Sequence, residues 1–191
     1  MYIFGYGSLV NIKSAQKSFK RELQQEDFIP VVVNGYKKVW NAIEYIIFEK
    51  EEKITNGIFL NLEKGSTLST CSTCGTLLKI TQEEFDFLKL REKNYSCIEI
   101  ESISGFETNE KIYTFMTTNK EKLANKYSEN CFIPKNYIKL LEEGLKPYSN
   151  EFKEEFIKSY SSFPFPIKEG TYIFSDPIQN KFAKDGIKDE Q

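Results

Sequence analysis

The sequence predicts an α+β domain, a mixed and barrel-like β-sheet with helices segregated to its outside and its end. Three observations predict it. Runs rich in β-branched and aromatic residues dominate the first two thirds of the chain, and helical periodicity is confined to a segment after the first strand, one near the middle and several near the end. Strict strand–helix alternation is missing, which argues against a doubly wound parallel sheet.

Tyr2-Ile3-Phe4 reads as a short buried strand that breaks at Gly5-Tyr6-Gly7-Ser8. Ala15, Phe19 and Leu23 recur at every fourth position, so an amphipathic helix is expected there with Asn11 as its N-cap. Residues 28–33, 36–48 and 56–62 read as strands, with Gly35 as punctuation between the first two. Residues 64–72 are polar and small, hence a loop, and residues 75–80 form another strand. Thr81 and Glu84 then stand in the capping-box arrangement ahead of Phe85 and Leu88, so a helix should run to about Glu92. Residues 97–103 and 111–116 are strand candidates with period-two patterning. Helices are expected over 119–127, over 134–145 with Pro134 in the first turn, and over 150–160, where Phe163-Pro164-Phe165-Pro166 ends the run. Residues 170–174 add an edge strand, and the charged tail after Gln179 is expected to be loose. The domain is expected to span residues 1–145, with 146–191 a helical extension and tail packed on it.

The 191 residues are 40 % hydrophobic and 28 % charged, which is ordinary for a globular protein and unlike a disordered one. The 26 basic and 28 acidic side chains are interspersed and sum to −2, so no basic stripe exists to hold a phosphate backbone and no nucleic-acid partner is expected. No apolar run approaches the roughly 20 residues of a membrane helix. The opening Met1-Tyr2-Ile3-Phe4 lacks the basic region of a signal peptide, so a cytoplasmic location without a membrane partner is expected. Cys71, Cys74, Cys97 and Cys131 should then be reduced. Cys71 and Cys74 form a C-x-x-C that would suit half a zinc site or a redox pair. A second pair at matching spacing is missing and so is every histidine, so they are read as small residues of a loop beside a strand, with no metal. The lack of histidine also removes Ser-His and Cys-His machinery, leaving proton chemistry to a carboxylate, lysine, tyrosine or cysteine.

Two places carry candidate chemistry. The first is Phe4-Gly5-Tyr6-Gly7-Ser8-Leu9, where the chain leaves a strand and enters a helix. Its two glycines permit positive φ and close approach of a ligand, and amides at a helix start suit an anion. A tight turn without a ligand fits the same pattern. A dinucleotide loop does not, because Val10 stands where the third glycine belongs. The second is Glu92, at the C-terminal end of the capping-box helix. The negative end of the helix and burial in a pocket would both raise its pKa, while Arg91 and Lys93 would lower it. A raised carboxyl suits a general base that later acts as an acid, although an Arg-Glu-Lys run also suits a solvated helix end.

Read together, these segments resemble the gamma-glutamylcyclotransferase-like superfamily, especially its ChaC-type members and their bacterial relatives. Phe4 to Leu9 match the family's opening Phe-Gly-Tyr-Gly-Ser-Leu in full, and Gly35-Tyr36-Lys37-Lys38-Val39-Trp40 is similar to its Gly-Tyr-Arg-Arg-aromatic segment. The stretch from Gly75 to Tyr95 resembles a strand-to-helix block ending in Leu-Asp-x-Arg-Glu-x-x-Tyr, here Leu88-Lys89-Leu90-Arg91-Glu92-Lys93-Asn94-Tyr95. Pro134-Lys135-Asn136-Tyr137 is similar to a later proline-before-tyrosine helix. The resemblance covers roughly residues 1–145. It implies the gamma-glutamylcyclotransferase-like fold and an enzyme converting a gamma-glutamyl compound to 5-oxoproline and a released amine. It further implies that Tyr6, Gly7, Ser8 and Leu9 cradle the gamma-glutamyl group, that Glu92 is the catalytic acid/base, and that Tyr95 and Tyr137 line the pocket. No metal or organic cofactor is implied. The substrate is a small molecule: glutathione, a gamma-glutamyl amino acid or a gamma-glutamylamine. The alternative is a non-catalytic module that binds such a ligand or a protein through the same fold. Lys89 departs from the family's aspartate, which bears on how Arg91 is held, and Lys37 and Lys38 replace arginines that could grip a carboxylate bidentately.

Overall fold

The computed structural model describes residues 1–65 and 71–185. Residues 66–70 of the expected loop and residues 186–191 of the expected tail lie outside the described residues. The chain opens with β1 (Tyr2–Gly5), passes a 3-10 turn (Ser8–Val10) into α1 (Ile12–Gln16), and continues through β2 (Phe28–Asn34), β3 (Tyr36–Phe48), β4 (Ile54–Lys64) and β5 (Ser72–Lys79). After α2 (Gln82–Arg91) come β6 (Ser96–Glu99), β7 (Ile103–Ser104), β8 (Ile112–Met116) and β9 (Cys131–Pro134). Then follow α3 (Lys135–Leu145), α4 (Asn150–Lys158), β10 (Ile167–Lys168), β11 (Tyr172–Phe174) and α5 (Pro177–Asn180).

Among the described residues the strands form a 6-stranded sheet in the order β6-β8-β1-β5-β2-β7 and a 5-stranded sheet in the order β10-β9-β4-β3-β11. β1 runs parallel to β8, and β9 runs parallel to both β4 and β10, while the other pairs are antiparallel, so the sheets are mixed. The chain crosses from the first sheet to the second through Gly35, whose φ of 82° is left-handed backbone that costs a glycine little. One apolar core, built from both sheets and the helices packed on them, fills the curled half-barrel. This is the α+β architecture that the strand-rich sequence predicts.

β3 shows how the core is made and where it departs from a simple pattern. Its alternate residues Tyr36, Lys38, Trp40, Ala42, Glu44, Ile46 and Phe48 are all buried. Period-two alternation with aromatic and β-branched residues accounts for the strand. Lys38 and Glu44 are the two charged-type side chains carried inward with the apolar and aromatic ones.

Several expectations need correction. The helix expected through Leu23 ends at Gln16, because the Gln16 side chain takes over the backbone pairing. Its amide donates to the carbonyls of Phe19 (3.2 Å) and Arg21 (2.8 Å) and accepts the Leu23 N–H (2.8 Å), which turns the chain while keeping Phe19 and Leu23 buried. The helix expected over 119–127 is a 3-10 turn, Lys120–Lys122, followed by irregular chain. There the side chains of Asn119 and Asn125 accept the N–H groups of Glu121 and Tyr127, local bonds that compete with a helix. The single strand expected over 97–103 divides into β6, which pairs with β8, and β7, which pairs with β2. β9 and β10 were not expected. They are short, and their partners are distant in sequence.

The tail beyond Gln179 is folded as far as residue 185. Asp176 caps α5 by accepting the N–H groups of Ile178 and Gln179, Pro177 supplies the first turn, and Phe182 packs on Phe87 at 6.3 Å between ring centres. β10 and β11 form the two edges of the 5-stranded sheet. Among the described residues no helix is long and apolar enough to cross a membrane.

Candidate active site

The loop after β1 is positioned from two sides. Asn11 caps α1 by accepting the Ser14 N–H, and its amide donates to the Leu140 carbonyl of α3 at 2.9 Å. Gly144 lets α3 come this close, since a Cβ there would meet the Asn11 Cβ at 2.7 Å. On the other side, Gly75 of β5 faces the end of β1, where a Cβ would stand 2.5 Å from the Gly5 carbonyl oxygen. Gly5 and Gly7 do not adopt positive φ, contrary to the sequence expectation. Their role is room: a Cβ on Gly7 would lie 2.8 Å from the Tyr137 hydroxyl, and one on Gly5 would lie 2.9 Å from the Leu9 Cβ.

α2 delivers the charged pair. Its capping box closes as expected, Thr81 accepting the Glu84 N–H and Glu84 accepting the Thr81 N–H. Phe85, Leu88 and Arg91 then share the buried face at helical spacing, and Glu92 follows as the C-cap. The Arg91 side chain is 3 % exposed, and each of its five N–H donors has an acceptor. Nε meets Glu92 Oε1 at 3.0 Å. One terminal nitrogen donates to the Ser14 carbonyl (2.8 Å) and Ser18 Oγ (3.1 Å), the other to Ser8 Oγ (2.9 Å) and Ser14 Oγ (3.1 Å). Arg91 thus ties the opening loop, α1 and the following turn to the end of α2. Lys89 takes no part in this. It pairs with Asp86 at 2.6 Å on the exposed face, so the departure from aspartate leaves the Arg91 shell untouched.

Around Glu92 lies a cavity of about 130 Å³. That is room for a few waters or a small ligand. Its lining brings together every residue singled out from the sequence: Tyr6, Gly7, Ser8, Leu9, Glu92, Tyr95 and Tyr137. The Tyr6 hydroxyl donates to the Phe115 carbonyl at 2.7 Å. Tyr137, on α3, packs edge-on against Phe59 at 4.9 Å and Trp40 at 5.9 Å between ring centres. Burial first, and then neighbouring groups that include Glu92, push the Tyr6, Tyr95 and Tyr137 hydroxyls above the usual phenol range, so all three stay neutral donors. Burial also raises the Glu92 carboxyl above its ordinary 4.5, against the opposing pull of the Arg91 guanidinium. Of the opposing influences named from the sequence, burial outweighs Arg91.

Sequence reasoning missed the carboxylate behind this cluster. Glu44 is 2 % exposed and accepts from Asn94 at 2.9 Å, while the Asn94 amide also reaches Gln179 in the cavity wall at 3.1 Å. Burial holds Glu44 at about 6, and the charge of Glu92 adds to the rise while Asn94, Lys122 and Gln179 oppose it. The sequence signal was there: an acid on the inward face of a strand whose other inward residues, Lys38 excepted, are apolar. Because the folded pKa lies above the ordinary 4.5, the unfolded chain releases this proton first as pH rises. Stability from this group is therefore complete below about pH 4.5 and falls by on the order of 2 kcal/mol as pH passes 6. Glu44→Gln should show no such fall. In urea melts, the difference between parent and variant should favour the variant above pH 6 and shrink toward pH 4. A difference constant across that range would show that Glu44 does not titrate.

Three further residues lie away from the cavity lining. Lys37 faces solvent against Glu63 at 3.0 Å. Lys38 is buried over the Phe156 ring, donates to Ser159 Oγ at 3.0 Å and stands 3.8 Å from Cys74 Sγ; burial lowers it to about 7. Cys74 is therefore a buried residue within β5, opposite Val32, and not part of a loop.

No family model and no curated protein matches this chain. Solved structures do match. YkqA from Bacillus subtilis superposes with a TM-score of 0.57 at 22 % identity, over 88 % of this chain and 56 % of that one. The chain thus spans little more than half the length of that protein. A gamma-glutamyl cyclotransferase specific to glutathione, from yeast, gives 0.52 at 14 % identity over 83 % of this chain and 94 % of its own. Another gamma-glutamyl cyclotransferase gives 0.53 at 13 % identity over 97 % and 99 %. An uncharacterized protein from Homo sapiens gives 0.53 at 15 % identity over 96 % and 98 %. The fold of this chain is the one these proteins share.

Proposed function

We propose that this chain, built on the gamma-glutamylcyclotransferase-like fold, is a gamma-glutamylcyclotransferase that uses Glu92 as acid and base. The observation that carries the reading is a carboxylate, held by an Arg91 with no spare donor, standing in the same cavity as the turn at Gly7, Ser8 and Leu9.

The reaction closes a ring within one molecule. The substrate's α-amine attacks its own γ-carbonyl carbon, the C–N bond to the departing amine breaks, and 5-oxoproline and the amine are released. Nucleophile and electrophile already share a molecule, so the site has to fold the substrate and move protons. Glu92 takes a proton from the α-ammonium and gives one to the leaving nitrogen. Its raised pKa brings it nearer to balance between those two tasks. The amides that begin the Ser8–Val10 turn hold the substrate carboxylate or the developing oxyanion, and the neutral Tyr6 and Tyr137 hydroxyls stand beside Glu92 as further polar groups. This chemistry needs proton transfer and positioning, both of which the cavity side chains can supply.

The direct test is 5-oxoproline release from glutathione, gamma-glutamyl-alanine and gamma-glutamyl-ε-lysine by the purified protein. Release from at least one is expected. Folded protein that releases none, and whose melting temperature is unmoved by any of the three, would overturn the reading.

A further inference from the structure

The walls of the cavity differ in how they are held. Phe4, Phe59, Leu60 and Phe115 belong to paired strands, Tyr137 and Leu140 to α3, and the opening loop is tied down by the Arg91 shell. The wall formed by Gln179, Ala183 and Lys184 is held in another way. The Ser175 N–H donates to the Tyr45 carbonyl at 2.8 Å. Beyond it, among the described residues, the backbone-to-backbone bonds of residues 176–185 close within the segment. The segment is attached to α2 and the turn after it through side chains. Lys93 pairs with Asp176 at 2.7 Å, the Asn94 amide donates to Gln179 Oε1 at 3.1 Å, and Phe87 packs on Phe182 at 6.3 Å between ring centres. The Lys93 and Asp176 side chains are both partly exposed. Such ties part at lower cost than a paired strand or the buried Arg91 shell, so this is the wall that gives way first.

Two of those ties spring from the residues that directly follow Glu92. Glu92 lines the cavity, Lys93 holds Asp176 at the start of α5, Asn94 holds Gln179, and Tyr95 lines the cavity again. The Asn94 amide also donates to the buried Glu44 at 2.9 Å, which anchors this stretch to β3. The seat of the segment and the placing of the carboxylate therefore share four consecutive residues. With the segment in place Gln179 is 4 % exposed and the Glu92 side chain 16 %. Lifting the segment widens the way in, and lowering it removes water from around the reacting atoms.

Resting on the cyclotransferase reading, we infer that Lys93 and Asn94 are positioning residues that seat residues 176–185 beside Glu92, and that this segment is a lid which opens and closes in each turnover. Neither side chain touches the substrate. Both act through the wall that they hold.

The test locks the lid. In the double variant Lys93→Cys/Asp176→Cys, a short bis-thiosulfonate reagent joins the two thiols through disulfides that a phosphine reductant removes. The parent, treated alike, controls for its own four cysteines. Turnover is read with gamma-glutamyl-alanine and S-methylglutathione, neither of which carries a thiol. Release of 5-oxoproline should fall roughly tenfold or more on cross-linking and recover on reduction. Undiminished turnover in the cross-linked protein overturns the lid and leaves the cyclotransferase reading standing. Hydrogen exchange gives a second measurement without a cross-link. Residues 176–185 should exchange roughly two- to fivefold faster in Lys93→Ala than in the parent, the range of a partly exposed ion pair. Lys89→Ala, which removes a lysine paired with Asp86 on the exposed face, should leave that exchange unchanged. Exchange as slow as that of α3 in the parent and both variants overturns the lid. If the reduced protein releases no 5-oxoproline, calorimetry with the same two compounds takes the place of turnover. Binding that the cross-link blocks and reduction restores would make the reaction wrong and the lid right, and binding that the cross-link leaves intact would overturn both. If neither compound binds, both fall.

Discussion

Replacing Glu92 by glutamine is expected to lower kcat by roughly 10²–10⁴-fold, the range over which a positioned general acid or base contributes. The fold should persist. Glutamine keeps an oxygen for the Arg91 Nε–H, and the other four Arg91 donors keep their serine acceptors. Roughly 1–3 kcal/mol of stability should nevertheless be lost, because the guanidinium charge loses its counter-ion. In the parent, activity should depend on pH in a definite direction. Glu92 must be ionised to take the ammonium proton, and burial raises its pKa above 4.5. The acid limb of kcat/KM should therefore rise with pH through a midpoint above that of an ordinary glutamate, and Glu92→Gln should not show this limb. A variant that turns over gamma-glutamyl substrates as fast as the parent would remove Glu92 from the chemistry.

The residues that the resemblance singled out line one cavity, while the forces that hold them there were not legible in sequence. The capping box at Thr81 and Glu84, with Phe85 and Leu88 behind it, fixes the start and the buried face of α2, and helix geometry then carries Arg91 inward. These are local rules, so they can be read from a few residues. The strands were legible for the same reason, since the inward face of β3 shows in its alternation. The shell around Arg91 could not be read in this way. Ser8, Ser14 and Ser18 are unremarkable one at a time, and their common acceptor role appears when Arg91 at the end of α2 reaches them, at 73 to 83 residues of sequence separation. The Gln16 side chain, which replaces a helix by a turn, acts through bonds that no helical periodicity reports. β9 and β10 depend on pairing with distant segments. The folded tail depends on where Asp176 and Phe182 find partners: Lys93 at 2.7 Å and Phe87. Glu44 was the avoidable miss. Its place in an inward row that is apolar but for Lys38 shows in the alternation of β3, and desolvation makes such a buried acid costly.

Arg91→Ala should have the largest effect on stability, roughly 3–5 kcal/mol, the usual cost of removing one partner from a buried pair. Packing and charge both contribute. The variant leaves a void, unpaired serine hydroxyls and an ionised Glu92 without its cation, while the chain loses the link between the opening loop and the end of α2. Arg91→Lys should recover little, since an ammonium cannot reach carboxylate and serines in the arrangement of a planar fork. The charge component can be isolated by a double-mutant cycle with Glu92→Gln. With the carboxylate already neutral, Arg91→Ala no longer strands a buried anion, so its cost in urea melts should fall measurably below the cost in the parent. If the two costs are equal, the pair contributes nothing as a pair, and Arg91 acts through the serines alone. The same variant makes a kinetic prediction of opposite origin. Removing the guanidinium takes away the main influence that lowers the Glu92 pKa, so whatever activity Arg91→Ala retains should have its acid limb shifted to higher pH. A loss of stability with an unmoved acid limb would make Arg91 a packing residue, whereas both changes together would make it the group that keeps Glu92 a base at neutral pH.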